Sequence, residues 1–216
     1  MATFFTSDGH FGDTRCDTLR RPFIDSDEMI RHQILEFNKI VSEDDETHFL
    51  GDFTHWGSTE LVHLAGEMNG KKILYLGNHD FAPFEEYEKY FDEIYIKRDM
   101  TLIHPKTGEE LDVHLNHYPS LSVPHRFNIV GHIHDAWKVQ RNMLNVGVDV
   151  WYFRPIPVEM VFSQYNAIRK FYDDDVFVDG HNANRVVVPL TKGSGSRAAS
   201  EMVAEQHRMY NEEYGN

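Results

Sequence analysis

Five short motifs follow one another along the chain: Asp8-Gly9-His10, Gly51-Asp52, Gly77-Asn78-His79-Asp80, Asn116-His117-Tyr118-Pro119 and Gly131-His132-Ile133-His134. Seven of their side chains, two carboxylates, one amide oxygen and four imidazoles with no thiolate, make a donor set suited to Mn, Fe, Zn or Ni. Seven such side chains can hold two divalent cations if one of them bridges. The chemistry this points to is two-metal hydrolysis of a phosphoester.

The elements that must position these residues follow one pattern. Residues 3–7, rich in β-branched and aromatic side chains, read as a strand running into Asp8-Gly9-His10. Residues 47–50 read as the strand before Gly51-Asp52, and residues 71–76 as the strand before Gly77-Asn78-His79-Asp80. Between them, Asp25-Ser26-Asp27-Glu28 offers helix-start chemistry. Ile30, Ile34, Phe37 and Val41 recur at helical spacing, which predicts a helix over residues 27–41 with a core-facing stripe. In open α/β sheets, ligands gather beyond the carboxyl ends of the strands, so loops far apart in sequence can converge there.

The second half is richer in strand signals. Residues 93–104 and 110–116 flank the turn cluster Pro105-Lys106-Thr107-Gly108 and predict two antiparallel strands, the second ending at His117. Residues 127–130 run into Gly131-His132-Ile133-His134, where the i, i+2 spacing puts both histidines on one side of an extended chain. Residues 143–146 read as a buried strand before Gly147-Val148-Asp149. Beyond about residue 160 the pattern changes. A helix is expected over residues 163–172, a solvated turn at Asp173-Asp174-Asp175, and a small hairpin from residues 176–178 and 186–188. A Gly/Ser linker at residues 192–196 and a last helix over residues 198–214 complete the reading. Residues 1–162 are thus the expected core, and residues 163–216 a carboxyl-terminal extension packed on it, with a homo-oligomer contact as one role for that extension.

Composition narrows the function classes. The 216 residues suffice for one sizeable core, and 41% hydrophobic with 26% charged residues is an ordinary globular balance. A formal charge of −14 argues against a surface for long nucleic acid, which relies on many Lys and Arg contacts to phosphates. Locally the sign reverses, because two divalent cations against Asp8 and Asp52 leave a positive pocket suited to one phosphate group. No apolar run approaches membrane length, and the first ten residues lack the basic start and long apolar stretch of a signal peptide, so a cytoplasmic protein is expected, without a membrane partner. The single Cys16 reads as a free, inert thiol.

The ordered motif set resembles the calcineurin-like metallophosphoesterase superfamily. The likeness covers roughly residues 3–160, and FTSDGHFGD, RRPF at residues 20–23, LGDF, LGNHD, NHYP, GHIH and NVGVDVW are similar to a compact bacterial and bacteriophage branch. The resemblance implies a four-layer α/β/β/α sandwich with its metal site at the strand carboxyl-terminal ends. It implies that Asp8, His10, Asp52 and His134 hold one metal, that Asp52, Asn78, His117 and His132 hold the other, and that Asp52 bridges. A bridging water, deprotonated near neutral pH, would then be the nucleophile. His79 would protonate the leaving group or stabilise the transition state, with Asp80 orienting its imidazole; alternatively Asp80 is only a helix-start cap before Phe81. Mn²⁺ is the expected metal, with Fe, Zn or Ni as alternatives. Members of the branch carry HFGH where this chain reads His10-Phe11-Gly12-Asp13, which leaves metal binding intact and puts rim chemistry and substrate preference in question.

The remaining candidates carry two readings each. His32, His48, His55, His63, His104, His114, His125, His181 and His207 lie outside the motifs and read as structural or surface residues; His55 and His125 are the two near a motif. Trp56, Tyr118 and Trp151 either stack on a base at the pocket mouth or pack in core and rim. Arg15, Arg126 and Arg154 are surface arginines or a phosphate clamp. The expected activity is a metal-dependent phosphodiesterase on small nucleotide-like diesters, cyclic nucleotides among them. A phosphomonoesterase or phosphoprotein phosphatase using the same site is the alternative, and a non-catalytic interaction scaffold the third reading.

Overall fold

The computed structural model describes residues 1–16, 19–56 and 58–171. Ten strands form two five-stranded sheets. The first has the order β10-β1-β2-β3-β4, from β1 (Thr3–Thr6), β2 (Glu46–Phe49), β3 (Lys71–Tyr75), β4 (Glu93–Tyr95) and β10 (Ile156–Pro157). The second has the order β5-β6-β7-β9-β8, from β5 (Lys97–Ile103), β6 (Glu110–Asn116), β7 (Phe127–Val130), β8 (Val139–Gln140) and β9 (Met143–Asn145). This is the mixed α/β class the sequence predicts.

Alternation along the strands of the first sheet explains its two covered faces. Phe4, Phe49 and Leu74 point into one cluster with Ile30 and Phe37 of α1 (Ser26–Asn38), Val62 and Ala65 of a 3-10 helix (Thr59–Glu67), and Tyr87 of α2 (Phe84–Tyr87). Their neighbours Phe5, Leu50, Ile73 and Tyr75 point the other way, into a core shared with Leu102, Val113, Leu115, Ile129 and Leu144 of the second sheet. A strand buried on both faces needs apolar residues at successive positions, which is why Phe4-Phe5 and Ile73-Leu74-Tyr75 are continuous runs. Val161, Phe162 and Ile168 of α3 (Val158–Phe171) join the core between the sheets.

Helix α1 begins as its residues require. The Asp25 carboxylate accepts the Glu28 N–H at 2.8 Å, and the Glu28 carboxylate reaches back to the Ile24 N–H at 2.7 Å. Such caps contribute about 1 kcal/mol. The helix ends at Asn38, short of the expected residue 41, yet Val41 is still buried with Phe37 in the same cluster.

Two expectations are corrected. Residues 93–104 are not one strand: the segment breaks at Ile96, β4 pairs in parallel with β3 in the first sheet, and β5 pairs antiparallel with β6 in the second. The single residue between them carries the chain from sheet to sheet. The helix expected from residue 163 starts at Val158, so α3 runs through residue 162. The turn, hairpin, linker and last helix expected at 173–214 lie outside the described residues.

What matters for function is direction. β1, β2 and β3 are mutually parallel, as are β6, β7 and β9, so each sheet presents three strand carboxyl ends together. A parallel bridge between Ser7 and Gly147 aligns the two sets, and the Ser7 hydroxyl donates to the Leu50 carbonyl at 2.7 Å.

Candidate metal centre

Six strand ends deliver polar residues to one place. Asp8 and His10 follow β1, Asp52 follows β2, Asn78 and His79 follow β3, His117 follows β6, His132 and His134 follow β7, and Asp149 lies beyond β9. The loops are tied to one another through backbone: Asp8 N–H donates to the Gly51 carbonyl at 3.0 Å, His10 N–H to the Asp52 carbonyl at 2.9 Å, and Gly131 N–H to the His117 carbonyl at 3.0 Å. All seven expected ligands are brought together. Asp8, His10 and His134 form one group and Asp52, His117 and His132 another, with the ligand atoms of each group within 4.8 Å of one another.

Asp52 sits between the groups. Its Oδ2 lies 3.4 Å from His10 Nε2 and 3.3 Å from His117 Nε2, while Oδ1 accepts the His79 N–H at 2.8 Å. Asn78 Oδ1 lies 3.3 Å from the same His117 nitrogen, so the amide oxygen joins the second group. The space is tight enough to need glycine nearby. A Cβ on Gly77 would collide with the Asp52 carboxylate, and one on Gly131 with the Ser7 hydroxyl and the Asp8 carboxylate.

The backbone is strained where it presents these groups. Asp8, His10, Asp52, His132 and His134 all have φ between 49° and 75°. Left-handed backbone costs an L-residue about 1–2 kcal/mol, and concentrating it on five polar residues at one point is the mark of a built site.

Two imidazoles are oriented from behind. His117 Nδ1 lies 2.6 Å from the Leu50 carbonyl, which can only accept, so Nδ1 carries a proton and Nε2, turned toward Asp52, is the nitrogen that would meet a metal once its own proton is lost. His134 Nδ1 lies 2.9 Å from Asp149 Oδ2, and that carboxylate is gripped by Arg21 through Nε at 2.8 Å and Nη2 at 2.8 Å. Arg21, fully buried, also donates to the carbonyls of Asp8 and Gly9 at 2.6 and 3.0 Å. His10 is different. It is 1% exposed, and neither ring nitrogen makes a hydrogen bond among the described residues. An imidazole buried with both nitrogens unsatisfied is costly, and a cation at Nε2 would satisfy one of the two. The residues present form groups that could hold metal ions.

The carboxylates and imidazoles of the site are electrostatically coupled. Burial opposes ionisation of Asp52, but His117 and then His10 outweigh it and hold the carboxyl well below the usual range. Burial likewise opposes protonation of His117, yet the Asp52 and Asp8 carboxylates push it up to about 9. Burial, then the charge on His117, push His132 down to about 4. Burial alone dominates the lowering of His10 and of His79.

Asp80 does not do what was expected of it. Its Oδ2 accepts the N–H groups of Asp52 at 2.8 Å and Gly77 at 2.9 Å, and its Oδ1 accepts that of Phe53 at 3.0 Å. It thus locks the Asp52 loop to the Gly77 loop, and neither orients the His79 ring nor caps a helix; His79 Nδ1 has no hydrogen-bond partner among the described residues. Asp13 is not on a rim either. It is 1% exposed, accepts the Arg15 Nε and Nη2 at 2.9 and 2.8 Å, and lies 3.4 Å from His55 Nδ1. Those bonds, against the penalty of burial, keep it ionised well below the usual range.

His55 is drawn into the site. Its ring stacks on His79 at 5.1 Å, and His10, His55 and His79 form a third group of converging imidazoles. His125 stays exposed. Tyr118 packs against His117 and His132, and the Trp151 indole donates to the Asn145 carbonyl inside the core; Trp56 alone of the three aromatics faces solvent, at 62% exposure. Arg126 pairs with Asp99 and Asp112, and Arg154 with Glu36, away from the ligands. His48 is structural, bonded to Tyr75 and Glu46, and Cys16 is buried. His181 and His207 lie outside the described residues. Arg21 and Asp149 carry no motif signal of their own in the sequence, although they stand inside RRPF and NVGVDVW.

No helix among the described residues is long and apolar enough to cross a membrane. No family model matches the chain. It is similar to the Gene 66 protein of Mycobacterium phage L5, with 26% identity over 180 residues that span 69% of this chain and 87% of the phage protein. It is also similar to the crystal structure of the protein of unknown function AQ665 from Aquifex aeolicus, with a TM-score of 0.56 and 23% identity across 76% of this chain and 98% of that one. That likeness shows the mixed α/β fold.

Proposed function

We propose that the protein is a dinuclear-metal-dependent phosphoester hydrolase of the calcineurin-like metallophosphoesterase type, acting on small phosphodiesters. The observation that carries this reading is the division of the ligands into two groups with the Asp52 carboxylate between them, since a carboxylate has two oxygens and can span metals about 3.5–4 Å apart. Asp8, His10 and His134 would hold one metal with Asp52, and His117, His132 and Asn78 the other. When bound, the pair would supply Lewis acidity and lower the pKa of water at the site. The chain does the rest. Asp149 and the Leu50 carbonyl fix the tautomers of His134 and His117, Asp80 fixes the distance between two ligand loops, and His79 is placed beside His10, ring centroids 4.7 Å apart, to hydrogen-bond a leaving oxygen. The four-layer arrangement belongs to the same proposal: α1, α2 and the 3-10 helix cover one face of the first sheet, whose other face shares a core with the second, and a helical layer outside the second sheet would complete it.

A diester is favoured over a monoester because a dianionic group would want further cations. Arg126 and Arg154 are committed elsewhere, and Arg15 is neutralised by Asp13. Metal-stripped protein should be inactive and regain hydrolysis of bis(p-nitrophenyl) phosphate with Mn²⁺ at two metals per chain. Mn-loaded protein that hydrolyses neither this diester nor p-nitrophenyl phosphate would sink the proposal. His79→Ala should slow turnover about 10²–10⁴-fold with both metals retained.

A further inference from the structure

The loops that follow β2 and β3 each end in an exposed aromatic residue beside the metal ligands. Trp56, four residues beyond Asp52, is 62% exposed, and Phe81, three beyond Asn78, is 59% exposed. Their ring centroids are 6.2 Å apart. The Trp56 indole also lies 6.4 Å from the His79 ring and 6.3 Å from the His55 ring, in both cases at 80°, so it stands edge-on to the imidazoles at the inner end of the site. Folding leaves much of both rings in water although each could bury 150–250 Å², and they share one place on two separate loops.

From this geometry we infer that Trp56 and Phe81 form a stacking subsite for a planar aromatic part of the substrate, a nucleobase or aryl group, on the His79 side of the metal centre. The inference rests on the phosphodiesterase reading and deepens it by naming a substrate class. A phosphoryl group bound at the metal centre would put one ester substituent toward His79, and an aromatic substituent there would meet two exposed rings. Sugar or alkyl substituents gain little from that surface, whereas a base gains from stacking whatever its hydrogen-bonding edge. The subsite selects for aromatic character and leaves base identity open.

Binding to Mn-loaded protein, measured by calorimetry with inorganic phosphate, ribose 5-phosphate and adenosine 5′-monophosphate, tests this without turnover. Adenosine 5′-monophosphate should bind about 10-fold or more tightly than ribose 5-phosphate, a ratio within the range that base–aromatic stacking supplies. In Trp56→Ala/Phe81→Ala the ratio should fall toward one, and in Trp56→Phe, which keeps a ring, most of it should remain. Equal affinities in the wild-type protein overturn the subsite. So does a double variant that keeps the preference, or one that keeps it while altering the oligomeric state, which would make the patch a protein contact. Failure of Mn-loaded protein to bind any of the three ligands or to hydrolyse bis(p-nitrophenyl) phosphate overturns the phosphoesterase reading, and the subsite with it.

Discussion

The Asp149 carboxylate lies 2.9 Å from His134 Nδ1, so an acid near the end of the core orients an imidazole that faces Asp8 near its beginning. Burial works against the charge of Asp149, yet hydrogen bonds from His134 and Arg21 hold its pKa at about 2. Such outer partners set ring orientation and ligand basicity. Asp149→Asn should therefore weaken metal binding about 10–100-fold while the fold persists. Competition of the variant against a fluorescent chelator checks this, and unchanged affinity would show that His134 is not a ligand.

Asp80 is expected to behave as a structural lock. Asp80→Asn leaves one oxygen to accept from three N–H groups and turns an amide donor toward another donor, which should cost about 1–3 kcal/mol of stability. Denaturant unfolding reads that loss directly. If Asp80→Asn instead slows turnover as His79→Ala does, with stability untouched, the residue acts on the His79 ring after all.

Metal affinity should rise with pH. A metal needs neutral imidazole, and His117 in the metal-free protein keeps its proton to about 9, so affinity should climb between pH 6 and 9 and level off above. Calorimetry in buffers of different ionisation enthalpy would register the released proton, and a pH-independent affinity over that interval contradicts the assignment. Metal-free stability runs the other way. Because the folded pKa of His117 lies above its ordinary value of 6.5, its contribution is complete below that pH and is lost as pH rises through about 9.

Gly77→Ala should damage the centre more than Gly108→Ala. A Cβ at Gly77 meets the Asp52 carboxylate and its backbone nitrogen, the latter at 2.7 Å, whereas a Cβ at Gly108 meets nothing within 4 Å and costs only the strain of its φ of +72°. The first should lose about 1–3 kcal/mol by overpacking and fall below two metals per chain, while the second keeps both. Thermal melts with metal analysis separate the cases.

The strand-then-polar-loop habit was legible because it is local: an apolar run such as residues 73–76 ends where Gly77 begins a polar turn, and the seven expected ligands sit just beyond such strands, all but His117 in loops that contain glycine. The core stripe Ile30, Phe37, Val41 was legible for the same reason. Sheet membership was not. Residues 93–104 read as one extended run, and nothing in their alternation records that Ile96 passes the chain from one sheet to the other. Nor could periodicity pair Arg21 with Asp149, 128 residues apart, or aim Asp80 at the amides of Asp52 and Phe53 in preference to its neighbour His79. Partnership at long range is decided by topology, and short motifs do not carry it.

Each of the two ligand groups draws on both sheets: His134 completes Asp8 and His10, and Asp52 completes His117 and His132. A chain with only one sheet assembled would complete neither of these two groups, although His10, His55 and His79 all follow strands of the first sheet. Only a cation held at the Asp8 group or at the Asp52 group would then report that strand ends of both sheets have come together.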